Sequence, residues 1–362
     1  MKIVACAAAL VALTAAGAGR QPAAPNLTLT AVDGLSVGHF TLRERPTGCT
    51  VILAPRGTVG GVDVRGGAPG TRETDLLDPV NDVTMVNAIV LSGGSAFGLD
   101  AASGTVKWLD ERNTGYPVGT AGVVPIVPAA VLIDLWFGGN PRIRPGADCG
   151  YRAAAAATTR PVVEGNAGAG AGATVGKTSG VVASGNAGPM KAGIGSFAIR
   201  QPDGLVVAAI VAVNALGDVV DPESGAIVAG VRGTDGKPAD ARRLWRETTV
   251  LQDRASANTT IGVIATNARL TKVQARKVAQ MTHDGYARAI SPIHTPYDGD
   301  TVFTLATGAW SGDASEGRIG ALSADVMAEA VVRAAVQAAA SHGLPSARDL
   351  GTVPARFAGG KR

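Results

Sequence analysis

The stretch Ala257-Asn258-Thr259-Thr260-Ile261-Gly262-Val263-Ile264-Ala265-Thr266 joins two unlike kinds of chain. Before it, residues 233–257 are polar and charged, with Gly233, Gly236, Pro238 and Asp253 among them, and read as a long exposed connection. From Thr260 onward the run is short and apolar, the pattern of a buried strand. A loop of that length inside a compact domain is commonly a functional one. A threonine at the buried start of such a strand can attack the carbonyl carbon of the residue before it. The resulting N→O shift gives an ester. Water opens the ester and leaves a free α-amine on Thr259, beside its own hydroxyl. An α-amine titrates at about 7.7–8.0, so it can accept the hydroxyl proton at neutral pH. Nucleophile and base then share one residue and no histidine is needed. By spacing alone, the same residues are more simply a strand cap.

Working outward, segments 84–92, 204–214 and 301–307 are further short apolar runs bounded by glycine and polar residues, and predict buried strands. Ser95 to Arg112 has apolar spacing near the helical period. Thr271 can cap a helix running to about Ile290, with Val273, Val278, Met281 and Ala287 on one side. Ser323 can cap a last helix over 324–341. Residues 160–192 are rich in Gly and Ala without a clean period, and predict turns with short strands. Interspersed helices and strands apolar on both faces suggest sheets covered by helices.

The chain has 362 residues, 46% of them hydrophobic, enough to bury a core without a disulfide or metal staple. Its net charge of +4 is spread rather than run together, and aromatics are only 4%, which argues against a nucleic-acid surface. Cys6, Cys49 and Cys149 have no zinc spacing. Cys49 and Cys149 can pair in an oxidising compartment, but two buried free thiols is the favoured reading. Met1-Lys2, an apolar run from Ile3 to Ala16 and then Ala16-Gly17-Ala18 have the layout of a secretory signal. The run is too short to span a bilayer. Export to the periplasm or beyond is favoured over a cytoplasmic protein with an Ala-rich extension. Residues 19–30 read as a linker, with order beginning near Leu29.

Two other motifs compete. Ala171-Gly172-Ala173-Thr174-Val175-Gly176-Lys177-Thr178 is one residue short of a phosphate-binding P-loop, with Ala171 where the first glycine belongs. Gly93-Gly94-Ser95-Ala96-Phe97 is one residue from the nucleophile elbow of serine hydrolases, and lies between a predicted strand and a predicted helix. Phe97 in place of the second glycine would crowd that turn. His39, His283, His294 and His342 have no mutual metal spacing and read as structural or exposed.

The junction at Asn258-Thr259-Thr260-Ile261, with Val263-Ile264-Ala265-Thr266-Asn267-Ala268 behind it, resembles the self-processing junction of the P1 peptidases, peptidase family S58. These are the L-aminopeptidase/D-esterases, β-peptidyl aminopeptidases and nylon-oligomer hydrolases. The likeness covers most of residues 30–310. It takes in Val37-Gly38-His39, Asp63-Val64-Arg65-Gly66-Gly67-Ala68-Pro69-Gly70-Thr71, Leu91-Ser92-Gly93-Gly94-Ser95-Ala96-Phe97-Gly98 and the Gly-rich run ending at Lys177. It closes with His294-Thr295-Pro296-Tyr297-Asp298-Gly299-Asp300-Thr301-Val302-Phe303.

The resemblance implies an αββα sandwich of the N-terminal-nucleophile hydrolase type. It implies cleavage at Asn258–Thr259 into a large chain ending at residue 258 and a small chain, 259–362, which stay together, usually as a homotetramer. Residues 1–28 would be the signal-like segment and linker, and 29–258 the ordered large chain. Thr259 matches the nucleophile and Asn214 the side-chain donor to the oxyanion, a sensible group because its amide is always a neutral donor. Asp298 and Asp300 match the acidic pair of the nylon-oligomer-hydrolase branch, where the aminopeptidase branch has a serine first. Lying together, they should repel and raise one pKa. Lys177 matches a lysine beside the nucleophile. Ile133 stands where the family often has a tyrosine, so a phenol donor is absent. The expected activity is hydrolysis of short peptides, aminoacyl amides and esters or 6-aminohexanoate oligomers through an acyl-enzyme, with no metal or organic cofactor. The alternatives are a serine hydrolase at Ser95, a nucleotide-binding protein at 171–178, or an uncleaved homologue that only binds.

Overall fold

The computed structural model describes residues 25–180, 188–247 and 258–358. The signal-like segment, Cys6, the first half of the linker and the end of the long connection, 248–257, lie outside the described residues.

Two five-stranded sheets form the centre. The first contains β1 (Ser36–Thr41), β2 (Gly48–Leu53), β4 (Thr71–Arg72), β5 (Ala88–Ser92) and β6 (Ala129–Val131) in the order β1-β2-β5-β6-β4. The second contains β3 (Val59–Val64), β7 (Ile194–Arg200), β8 (Val206–Asn214), β9 (Thr259–Thr266) and β10 (Thr301–Ala306) in the order β7-β8-β9-β10-β3. Each sheet has one parallel pair, β5 with β6 and β9 with β10; the other neighbours are antiparallel.

Side-chain alternation explains why these runs are apolar on both faces. In β8, Ala208, Ile210 and Ala212 enter the core between the sheets, while Val207, Ala209, Val211 and Val213 enter the core under the helices. In β9, Ile261, Val263 and Ala265 face the other sheet and Ile264 faces the helices. In β5, Ile89 and Leu91 point inward, and Ala88 and Val90 point out. Helices α1 (Ala101–Asp110) and α2 (Ala147–Ala155) cover the first sheet. Helices α3 (Lys272–Ala289) and α4 (Glu316–Val336) cover the second. Three apolar cores between four layers make the αββα sandwich that the resemblance implied.

The elements differ from the sequence reading in four places. The Ser95–Arg112 helix begins with six residues of 3-10 helix, Ser95–Asp100, before α1. Thr271 caps α3 as expected, in a reciprocal capping box with Gln274, but the buried face is Ala275, Val278, Ala279, Thr282, His283, Tyr286 and Ala289. Val273 and Ala287 are exposed. The last helix is capped by Ser315, not Ser323, whose hydroxyl instead donates to Ile319 O inside α4 at 2.7 Å. Cys49 and Cys149 form a disulfide tying β2 to α2, against the favoured reading of two free thiols. Both sulfurs belong to the same core beneath the helices, where strand and helix meet. Among the described residues no helix is long and apolar enough to cross a membrane.

Candidate active site

Strands β8 and β9 end together, with Asn214 paired opposite Thr259. Ala212 and Ile261, two residues further in, both face the space between the sheets. Alternation therefore sends Asn214 and Thr259 into the same space, at its rim. Both are buried, as are Asn258, Thr260, Asp298 and Asp300.

The bond between Asn258 and Thr259 is held at a close approach. The Thr259 hydroxyl donates to the carbonyl oxygen of Asn258, the residue before it. The same carbonyl accepts the N–H of Gly299 at 3.2 Å. A side chain at 299 could not be tolerated there, since a Cβ would stand 2.7 Å from Ala68 O and 2.9 Å from Thr259 Oγ1.

The two aspartates arrive on the segment between α3 and β10. Asp300 Oδ1 accepts the Thr260 N–H at 2.7 Å, the amide next to Thr259. Its Oδ2 accepts the His294 backbone N–H at 3.0 Å and meets His294 Nδ1 at 2.9 Å. Asp298 Oδ2 accepts the Thr295 N–H at 3.0 Å and its hydroxyl at 2.5 Å. Burial, followed by repulsion from Asp300, pushes the Asp298 carboxyl up to about 6. Repulsion within the pair, expected from the sequence, thus adds to burial in raising Asp298.

Lys177 follows the short strand Thr174–Val175 and reaches across to β8. Its Nζ donates to Asn214 O and Asn214 Oδ1, each at 2.7 Å. Burial holds this amine well below the ordinary lysine range, against the opposing pull of Asp298, Asp134 and Asp300. Asn214 Oδ1 also accepts the Thr174 N–H at 3.1 Å. The asparagine Nδ2 donates to Ile133 O at 3.0 Å. Ile133 therefore contributes through its backbone, where the family often places a tyrosine side chain.

The sequence reading missed what fixes Ile133. The next residue, Asp134, is fully buried and paired with an equally buried Arg45 at 2.8 Å. It also accepts the Thr47 hydroxyl at 2.6 Å and the Gly94 N–H at 3.0 Å. These partners lie 40 to 89 residues away in sequence, so no local spacing betrays them.

The competing motifs are used differently. In the P-loop-like stretch, the Ala173 and Gly176 N–H groups donate to Gly170 O and Gly217 O, and Lys177 is turned onto Asn214. Its amides are spent inside the protein rather than aimed at an anion. Ser95 does sit at a left-handed φ of +57° after β5, in the strained turn that an elbow serine occupies. The four histidines, however, bond Thr50, Asp63, Asp300 and Ser341, and none reaches Ser95.

Known proteins bear on this geometry. The pattern of Peptidase family S58 matches residues 28–349. An uncharacterised aminopeptidase of Mycobacterium tuberculosis is 42% identical over 89% of this chain and 97% of its own. A 6-aminohexanoate-oligomer endohydrolase of Kocuria sp. is 32% identical over 83% of this chain and 84% of its own. Among solved structures, a Burkholderia sp. beta-aminopeptidase superposes with a TM-score of 0.65 at 21% identity, over 94% of this chain and 96% of that one. The L-aminopeptidase D-Ala-esterase/amidase from Ochrobactrum anthropi, a variant of the Ntn hydrolase fold, also gives 0.65, at 19% identity over 91% and 96%. With the four-layer sandwich and a threonine at the buried start of β9, the matches place the chain in peptidase family S58, hydrolases of amide and peptide bonds.

Proposed function

We propose that this chain cuts its own Asn258–Thr259 bond and then uses Thr259 as an N-terminal nucleophile. The observation that carries this reading is the Thr259 hydroxyl resting on the Asn258 carbonyl, which also accepts the Gly299 N–H. In the first step Thr259 Oγ loses its proton and bonds to the Asn258 carbonyl carbon. The C–N bond then breaks, and the departing nitrogen takes a proton to become the Thr259 α-amine. Water adds to the ester, freeing the Asn258 carboxylate and regenerating the hydroxyl. Before cleavage Thr259 has no free amine, so another group must take the hydroxyl proton. Lys177, held toward its neutral form by burial, and the Asp298–Asp300 pair are the candidates.

In turnover the new α-amine serves as the base. Asn214, braced by Thr174, Lys177 and Ile133, stabilises the oxyanion of the substrate carbonyl. The acyl group passes to Thr259 and the amine product leaves; water then releases the acid.

The substrate we infer is a short, amine-terminated, mostly aliphatic amide. The buried Asp298 carboxylate suits an ammonium group. Ile133 and the half-exposed Trp136, whose ring centroid lies 5.8 Å from Lys177 Nζ, suit a methylene chain. Relatives named as aminopeptidases and as 6-aminohexanoate-oligomer endohydrolases support this class. Export belongs to the same reading: the Cys49–Cys149 disulfide fits the oxidising compartment to which a signal at Met1–Ala18 would lead. Four protomers are the expected assembly, measurable by light scattering.

The test is denaturing electrophoresis with N-terminal sequencing. A small band beginning at Thr259 is expected, and Thr259→Ala should remain one inactive chain. A single full-length wild-type band after long incubation would sink the reading and favour an uncleaved binding protein.

A further inference from the structure

Beside the acidic pair lies an imidazole that hydrogen-bonds to neither strand end, Asn214 or Thr259. His294 stands six residues before Asp300 and places two donors on one of its oxygens, the backbone N–H at 3.0 Å and Nδ1 at 2.9 Å. To do so it adopts a left-handed φ of +58°, uncommon for a residue with a side chain. Its imidazole is only 18% exposed and packs edge-on against His283, with centroids 4.8 Å apart. His283 is fixed in turn by its Nε2 on Asp63 O at 3.1 Å and by an edge-on contact with Tyr286 at 5.4 Å. The other carboxylate oxygen of Asp300 is held by Thr260 N–H at 2.7 Å.

We infer that His294 is the positioning residue of the site. It locks the rotation of the Asp300 carboxylate, so that Oδ1 meets the amide beside Thr259 and the nucleophile is presented in register. The inference rests on the proposed role of Thr259 and deepens it. Two N–H groups of one residue grip one oxygen, and a wall of aromatic rings stops the imidazole from turning away. The backbone conformation brings both donors to bear at once. With the imidazole gone, Oδ2 keeps one donor and the carboxylate can swing about its Cβ–Cγ bond. Thr260 N–H then loses its fixed acceptor, and the Thr259 hydroxyl its fixed relation to the Asn258 carbonyl. The hydrogen bonds of His294 go to Asp300 and not to the hydroxyl or the scissile carbonyl, so its effect passes through Asp300.

Three chains separate this role from a purely structural one. His294→Asn keeps a side-chain N–H in the place of Nδ1 and tolerates a left-handed φ. His294→Gly accepts that φ more readily still but has no donor. If the residue matters only for its backbone, glycine should equal or exceed asparagine. If it positions Asp300, asparagine should stay within about threefold of wild type, while glycine slows both Asn258–Thr259 cleavage and kcat. Loss of a hydrogen bond to a charged group corresponds to about tenfold to a hundredfold. KM should hold within about twofold, the signature of an interaction that serves the reacting atoms rather than substrate binding. Added imidazole should restore part of the rate to the glycine variant. Matching melting temperatures for the two variants exclude a folding defect as the cause. Equal rates for asparagine and glycine, or loss of rate only through KM, would overturn the inference. Failure of wild type itself to cleave would instead overturn the reading of Thr259, so the two failures are distinguishable.

Discussion

At the scale of single residues, the site consists of groups whose ordinary properties burial has altered. Asn214 is the clearest case. Four hydrogen bonds, with Thr174, Lys177 and Ile133, hold its amide, so its donor cannot drift when charge develops nearby. Asn214→Ala should lower kcat by about 10²–10³, the usual cost of removing one oxyanion donor. A variant within tenfold of wild type would show that the oxyanion is held elsewhere. His283 offers a pH prediction. Its burial pushes the imidazole down to about 3, against about 6.5 in an unfolded chain. Between those values the unfolded chain takes up a proton that the folded one refuses, so stability falls as pH drops through that window. His283→Gln removes the titration. The gap in urea midpoint between parent and variant should therefore move against the parent from pH 7 to pH 4; parallel curves would refute this. Thr259, Asn214, Lys177 and the aspartates were legible in the sequence because each lies in a short motif of the family. Arg45, Asp134 and the carbonyl of Ile133 were not, because they meet only through folding and one acts through its backbone.

At the scale of elements, legibility followed burial. Strands β5, β8, β9 and β10 are apolar on both faces and were read within a few residues. Strands β1 and β3 carry His39, Thr41 and Asp63 among small residues, so neither a period of two nor an apolar run stands out. The start of α4 was misplaced because Ser323 looks like a cap, yet its hydroxyl can bond back along the helix when buried. The approach of α4 to β7 was also invisible in sequence. It depends on Gly195, where a Cβ would lie 2.1 Å from Ala330 O and 2.4 Å from Ala334 N, both helix backbone. Neither atom can yield without moving the helix. Gly195→Ala should destabilise the protein by about 1–3 kcal/mol or more, the usual cost of overpacking. A melting temperature unchanged by that substitution would mean that the helix and sheet slide freely. The disulfide between β2 and α2 shows the limit of cysteine counting: two cysteines 100 residues apart give no spacing signal, and only the packing of α2 on β2 brings them together.

At the scale of the whole molecule, the position of the proposed cut decides what cleavage can do to the fold. Residues 259–362 would carry β9, β10, α3 and α4. In the second sheet, β9 and β10 lie side by side, with β8 on one flank and β3 on the other, and both flanking strands belong to the large chain. The small chain is thus hydrogen-bonded into the middle of a sheet along both edges of its strand pair. Its Ile261, Val263, Phe303 and Leu305 are shared with the core between the sheets, and α4 packs on β7 and β8 of the large chain. Breaking one peptide bond at the rim removes none of these contacts. Withdrawing the small chain would expose two ladders and two apolar cores at once, a loss far beyond the stability of a typical domain. The processed chains should therefore co-elute as one species in size exclusion at any dilution that can be detected, and separate only in denaturant. After denaturation, remixing the two purified chains should recover activity poorly, since β9 must be inserted between strands that can otherwise close on each other. Elution of a free small chain from native, processed enzyme would contradict the sheet order on which this rests.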